Sequence, residues 1–357
     1  MTRAADGIRC MMMRGGTSKG AYFLADDLPA DTVERDDLLL RIMGSPDARQ
    51  IDGIGGAHPL TSKVGIVSRS AGPDTDVDYL FLQVGVDQPV VTDQQNCGNI
   101  LAGIGMFALE RGLVAAGTDL TTVRIRMVNT DSVAVATFPT PGGRPRYDGD
   151  LAIDGVPGTA APVEIAFSDT AGSTTGALLP TGNVVDEVEG VKVTCIDNGM
   201  PSVLVSATDL GVSGTEQPTD LESNSGLAER VRAIRFAAAA LMGMNDVAES
   251  TVPKVVLLSP PLNGGTIGTR SFLPVRVHTS IGVLGAQSVA AGIAIPGAVG
   301  HDLACLPAQG EPFRIEHPTG EFVVRIDFVP GTTDVASSVV YRTARKLFDG
   351  LVFPRLP

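Results

Sequence analysis

Asn96-Cys97-Gly98-Asn99-Ile100-Leu101-Ala102-Gly103-Ile104-Gly105-Met106-Phe107-Ala108-Leu109-Glu110-Arg111-Gly112 reads as a turn into a helix that starts near Asn99 and is apolar on almost every side. Ile100, Leu101, Ile104, Phe107, Ala108 and Leu109 carry the periodicity, and Arg111-Gly112 reads as the stop. A surface helix keeps a polar stripe, so one apolar all round is enclosed all round. The segments available to enclose it are short, strand-like and bounded by Gly, Pro, Asn or Asp: residues 64–67, 79–84, 123–128, 191–196, 203–206, 255–258 and 322–328. A strand-rich sheet wrapped around one helix satisfies both observations. The class is α+β.

The pattern occurs twice. Thr61-Ser62-Lys63-Val64-Gly65-Ile66-Val67-Ser68 is matched by Val252-Pro253-Lys254-Val255-Val256-Leu257-Leu258-Ser259. A glycine-containing turn into an apolar helix follows each: Asn96-Cys97-Gly98-Asn99 and then Val283-Leu284-Gly285-Ala286, the latter opening a helix near Gly285 that carries Val289 and Ile293. A strand, a polar turn and a second strand precede each, over residues 10–24 and 195–205. A further helix is predicted over 227–242. Three matches in one order predict two pseudo-symmetric domains, each a mostly antiparallel, β-barrel-like sheet around a central helix. Residues 1–186, completed by 333–357, form the first, and 187–332 the second.

Composition narrows the function. The net charge of −13 argues against nucleic acid, which asks for clustered Lys and Arg. An anionic substrate must then be held by local donors against the protein's own field. The four cysteines, Cys10, Cys97, Cys195 and Cys305, form no CxxC pair and no metal-like Cys/His cluster. No apolar run reaches the length of a membrane helix, and the N-terminus lacks a signal-peptide pattern. A reducing cytoplasm is the simplest home. Neither Gly53-Ile54-Gly55-Gly56 nor Arg14-Gly15-Gly16-Thr17-Ser18-Lys19 stands in the context of a nucleotide loop.

Cys97 is the sharpest chemical candidate. Just ahead of a helix, backbone N–H groups and the positive helix end favour a thiolate, and Gly98 lets a ligand approach the backbone. A buried structural thiol suits the same position equally well. Cys10 and Cys195 fall inside apolar strands and read as structural. His58, His301 and His317 sit beside turn residues and read as solvent-facing.

Asn96-Cys97-Gly98-Asn99 resembles the motif of the diaminopimelate-epimerase-like superfamily, in which that Cys transfers a proton. Arg14-Gly15-Gly16-Thr17-Ser18-Lys19-Gly20, Asp52-Gly53-Ile54-Gly55-Gly56 and Thr61-Ser62-Lys63-Val64, taken with it, resemble the PrpF branch of that superfamily. Residues 43–56, 96–112 and 198–201, with Gly264-Gly265-Thr266 and Arg270-Ser271-Phe272, are most similar to its 4-oxalomesaconate enzymes. The resemblance implies a cofactor-independent isomerase acting in microbial aromatic-acid and lignin breakdown, with no metal. 2-Methylaconitate cis–trans isomerisation, or polycarboxylate binding without catalysis, are the alternatives on the same fold.

The two-cysteine epimerases of the superfamily carry one Cys per half. Here the counterpart of Cys97 falls near Leu284-Gly285, where no Cys is available. In the PrpF branch the second group is the lysine of the Ser-Lys-Val segment, which implies Lys63 as base and Cys97 as acid or stabiliser of the intermediate. A lysine is almost wholly protonated at pH 7, so this role asks for burial or a neighbouring cation such as Arg14 or Lys19. A surface lysine at a strand end is the plainer reading of the residue alone. A polycarboxylate needs many donors. Gly16, Thr17, Ser18 and Lys19 offer them in one turn; Asn96, Gly98 and Asn99 lie at one helix start, and Gly285 and Ala286 at the other. Arg276 and His278 alternate along a presumed strand and so share a side. A homo-oligomer is compatible with all of this.

Overall fold

The structure, a computed structural model, describes residues 7–94, 96–245, 247–248, 250–273 and 276–356. Two compact units form: residues up to Ala166 together with Tyr341 onward, and Phe167–Val340.

The first unit contains β1 (Ile8–Gly15), β2 (Ser18–Leu24), helix α1 (Thr32–Met43), β3 (Lys63–Arg69), β4 (Val77–Val84), β5 (Val91–Thr92), helix α2 (Gly98–Glu110), β6 (Leu120–Met127), β7 (Ser132–Pro139) and β8 (Pro162–Phe167). Neighbours pair as β1–β2, then β2–β3 in parallel, β3–β4, β4–β6 in parallel, and β6–β7. The sheet curls round α2, which packs against β1, β2, β3, β4, β6 and β7. Residues Ile100 through Ala108 are buried without a break, as the apolarity of the helix requires. The strand residues of opposite parity form a second core beneath α1, with Cys10, Met12, Ala21, Phe23, Val64, Ile66, Leu82 and Val84 against Leu38, Leu39, Ile42 and Met43. Sheets covered on both faces read as continuous apolar runs, and Cys10-Met11-Met12-Met13 is one. Asp31 caps α1 by accepting from Val33 N and Glu34 N at 3.0 Å, and Gly44 at φ 82° ends it.

The second unit contains β9 (Asp186–Val188), β10 (Val191–Asp197), β11 (Pro201–Ser206), α3 (Pro218–Ser223), α4 (Ser225–Leu241), β12 (Lys254–Ser259), β13 (Ile267–Leu273), β14 (Arg276–Val277), α5 (Val283–Ala294), β15 (Phe313–His317) and β16 (Gly320–Phe328). The pairing succession of the first unit recurs: β10–β11, β11–β12 in parallel, β12–β13, β13–β15 in parallel, β15–β16. Here α5 packs against β10, β11, β15 and β16, and α4 covers the other core, which includes Cys195. The last strand, β17 (Val335–Val352), pairs with β16 through its first residues and with β1 along Ile8–Gly15 through its later ones.

The unit boundaries differ from the expected breaks after 186 and 332. Residues 170–178 join the second unit because their backbone is tied to β10. Gly172 N donates to Asp197 O, Asp197 N donates to Leu178 O, and the Asp197 carboxylate accepts from Thr174 N and Thr175 N. Val335–Val340 stays there because it completes the ladder with β16.

Candidate active site

Lys63 opens β3 on the face turned toward α2, since Gly65, two residues on, lies against Ile100 and Ile104. The side chain is 7% exposed. Its Nζ lies 5.0 Å from the Phe81 ring centroid and donates to Gln83 Oε1 at 2.8 Å. Gln83 is itself fixed, its Nε2 donating to Ser62 O at 2.9 Å and Pro59 O at 3.1 Å. Among the described residues no carboxylate lies within ion-pair reach of Lys63. A neutral amide holds the amine.

Cys97 is the N-cap of α2, with φ −130° and ψ 99°, and is half-buried. Its carbonyl accepts from Leu101 N at 3.0 Å and from the Tyr79 hydroxyl at 3.3 Å. The N–H groups of Gly98, Asn99 and Ile100 precede the first helical bond and point out of the helix end. Tyr79 and Phe81 share one face of β4, so one strand reaches the helix cap with the first and the lysine with the second. Tyr22, also on the helix side, donates to Ile100 O at 2.7 Å. Burial, and then Cys97, raise both Tyr22 and Tyr79 well above the ordinary phenol range, so both stay protonated donors.

The turn between β1 and β2 lies directly on the start of α2. A Cβ on Gly15 would stand 2.2 Å from Asn99 O, and one on Gly16, at φ 49°, 2.1 Å from Asn99 Oδ1. Only glycine allows this approach. Asn99 Nδ2 donates to Thr17 Oγ1 at 3.0 Å, and Gly16 N donates to Thr343 O at 2.8 Å. The Ser18 hydroxyl is buried without a hydrogen-bond partner among the described residues, as is Asn96 Oδ1; Asn96 Nδ2 donates to Thr130. Gly16, Thr17, Ser18, Asn96, Cys97, Gly98 and Asn99 thus gather at one helix start.

Lys19 does not join them on the same side. It pairs across the hairpin with Arg14, and both have the parity of Met12 and Ala21, which pack under α1. Arg14 donates instead to Gly16 O, Thr343 O and Thr343 Oγ1. The expected like-charge neighbour of Lys63 is therefore not either of these cations; alternation sends them to the opposite face.

In the second unit the helix begins two residues earlier than expected. Gly282, not Leu284-Gly285, caps α5 and occupies the place of Cys97, which leaves that position without a side chain. Ala286 N donates to Gly282 O at 2.9 Å, so of the expected pair only Gly285 still lies ahead of the first helical bond. Arg276 is exposed, and His278 is half-buried beyond β14. Burial, and then Lys254, push His278 below the usual imidazole range. Its Nδ1 accepts from Ser280 N at 2.9 Å. His317, expected in solvent, is 7% exposed because it ends β15 against Ser280, 3.2 Å from its ring.

Tyr22, Tyr79, Phe81 and Gln83 escaped the sequence reading. The available signal was parity: Gln83 is a polar residue in step with the apolar Tyr79 and Phe81 on a strand buried on both faces.

Residues 6–355 match the family model described as PrpF protein. The chain is 57% identical to the (4E)-oxalomesaconate Delta-isomerase of a Novosphingobium strain, covering 98% of both sequences. It is 57% identical to the 4-oxalomesaconate tautomerase of Pseudomonas putida, over 97% of this chain and 95% of that one. Among solved structures, a methylitaconate-delta-isomerase superposes with TM-score 0.91 at 35% identity, over 98% of this chain and 96% of that one.

Proposed function

This chain belongs to the PrpF family and is an isomerase, and from that premise we propose that it isomerises 4-oxalomesaconate by moving a proton across a dienolate. Lys63 removes a proton from the methylene carbon beside the double bond. The charge that develops is delocalised into the conjugated carboxylate and keto groups, and the N–H groups at the start of α2 stabilise it as oxyanion donors do. Cys97, at that same helix start, either donates its own thiol proton to the dienolate, after which its thiolate and the protonated Lys63 re-equilibrate with solvent, or stabilises the intermediate while Lys63 returns the proton. Thr17, Ser18 and Asn99 bind a carboxylate of the substrate. No step asks for a metal or organic cofactor. Aromatic-acid and lignin breakdown, the setting that the resemblance implies, stands as part of this proposal.

The observation that carries the reading is a buried lysine whose amine is fixed by a neutral amide, on the sheet face turned toward the helix that Cys97 caps. A lysine kept only for stability would be expected to pair with a carboxylate or to reach solvent. The unpartnered Ser18 hydroxyl supports a polar ligand at the same place, because buried polar atoms otherwise find partners.

Proton NMR in deuterated water, on a panel of 4-oxalomesaconate and 2-methylaconitate, tests it. The expected result is deuterium uptake and turnover of the first, with turnover lost to about the uncatalysed rate in Lys63→Met while binding persists. Undiminished turnover in Lys63→Met would overturn the assignment of the base. Preference for 2-methylaconitate would overturn the substrate.

A further inference from the structure

The face of the first unit's sheet turned away from α2 carries a row of cations that nothing neutralises. Arg14 stands opposite Lys19 in the β1–β2 pairing and opposite Arg345 in the β1–β17 pairing, so positive side chains from three neighbouring strands share one face. Like charges set directly opposite destabilise a sheet. Although the chain has a net charge of −13, none of the three forms an ion pair among the described residues. Arg14 Nη1 is committed to Gly16 O, Thr343 O and Thr343 Oγ1. Its Nε and Nη2, and the whole Arg345 guanidinium, have no acceptor among the described residues. Burial, and then Arg345, lower Arg14 from the ordinary guanidinium range.

A cavity lies against this pair. Arg14, Thr343 and Arg345 form one wall, and the stretch 147–160 supplies the rest, with Asp148, Gly158 and Thr159 among its residues. Asp148 is exposed, and its carboxylate pairs with neither arginine. The stretch is closed on itself, Leu151 N donating to Ala160 O and Ala160 N to Leu151 O, both at 3.0 Å. The cavity measures about 50 Å³. One water needs roughly 10–15 Å³ of such space, so a small oxyanion fits and a polycarboxylate does not. The same groups reach the turn that rests on α2. Arg14 holds Gly16 O, and a Cβ on Gly155, at φ 80°, would stand 3.2 Å from Thr17 Cγ2.

We propose that this cavity is a binding site for a small divalent oxyanion, of which inorganic phosphate is the simplest, held between the guanidinium groups of Arg14 and Arg345. A guanidinium matches two oxygens of such an ion with parallel hydrogen bonds, and two guanidiniums balance its charge. The ion cancels the repulsion between the opposed arginines and fixes Arg14, which in turn fixes Gly15-Gly16-Thr17 against the start of α2. Occupancy stiffens the substrate turn and takes no part in the proton transfer. The proposal rests on the isomerase reading only in taking that turn to bind substrate.

Titration calorimetry with phosphate, on the full chain at pH 8 and constant ionic strength, should give a Kd of about 1 mM, the strength of two or three charge-assisted hydrogen bonds. Acetate should bind about tenfold more weakly, and equal binding would overturn the preference for a dianion. In Arg345→Gln the phosphate Kd should rise about tenfold, while the urea midpoint without phosphate holds or rises because a like-charge pair is gone. Hydrogen exchange reads the coupling without turnover. With phosphate, the amides of residues 15–17 should exchange about threefold more slowly in the parent and at an unchanged rate in Arg345→Gln. Arg345→Glu sets a carboxylate opposite Arg14 in place of the ion, so it should bind no phosphate yet show the slow exchange of the saturated parent. An unchanged Kd in Arg345→Gln overturns the site, as does phosphate that competes with 4-oxalomesaconate without any dependence on Arg345. Unaltered exchange at the turn in the saturated parent overturns the coupling. If the parent fails to turn over 4-oxalomesaconate while phosphate binding still depends on Arg345, the substrate reading fails and the oxyanion site stands.

Discussion

Cys10 on β1 and Cys195 on β10 occupy matching places in the two units, enclosed in the cores beneath α1 and α4. Burial pushes each thiol from 9.0 up to about 12. Cys97, by contrast, is half-buried at a helix cap, and Cys305 is exposed. A thiol reagent at pH 8 should therefore titrate two groups in the native protein and all four after denaturation; four rapid groups in the native state would contradict the burial. The same burial fixes a sign for pH. Above about pH 9 the unfolded chain releases these protons while the folded chain keeps them, so the folded state binds more protons and stability falls as pH rises toward about 12. The raised Tyr22 and Tyr79 act in the same direction. Urea midpoints measured from pH 8 to 11 should fall steadily in the parent and less steeply in the double variant Cys10→Ala, Cys195→Ala.

At the scale of elements, α2 shows how one helix specifies the sheet around it. Its glycines are contacts, not breaks. A Cβ on Gly103 would stand 2.6 Å from the Tyr22 hydroxyl, which is already committed to Ile100 O, and one on Gly105 would stand 2.5 Å from the Phe138 ring. Gly103→Ala gains about 1 kcal/mol of helix propensity but overpacks the interior by roughly 1–3 kcal/mol. The urea midpoint is expected to drop. In a Tyr22→Phe background the shortest contact is removed while ring carbons remain at 3.0 and 3.1 Å, so the same substitution should cost less; equal effects in both backgrounds would show that the hydroxyl is not the obstacle.

For the whole molecule, the chain returns to finish what it began. The later residues of β17 pair with β1 along Ile8–Gly15, Asp349 bonds Arg111 at 2.7 Å, and Lys346 pairs with Glu110. Thr343 O receives both Arg14 and Gly16 N, so the turn on α2 also depends on this strand. A chain ending at Val340 should lose amide protection across the first unit while the second unit, whose β16–β17 ladder survives, remains protected in hydrogen exchange. Retained protection over residues 8–15 would contradict this dependence. Among the described residues no helix is long and apolar enough to cross a membrane.

The sequence by itself determined that a helix apolar on every side must be wrapped by strands, that the plan occurs twice, and that a thiol stands at the first helix start while the second half has none. These follow from periodicity and local capping, which are properties of neighbouring residues. The tertiary structure alone decided which side of the sheet each charge takes. Lys63 turns toward α2 while Arg14 and Lys19 turn away, because strand parity is set by register with partners far along the chain. It also decided that Gln83 holds the lysine and that His317 is buried against Ser280. Such pairs join residues on separate segments of the chain, and no spacing within either segment encodes them.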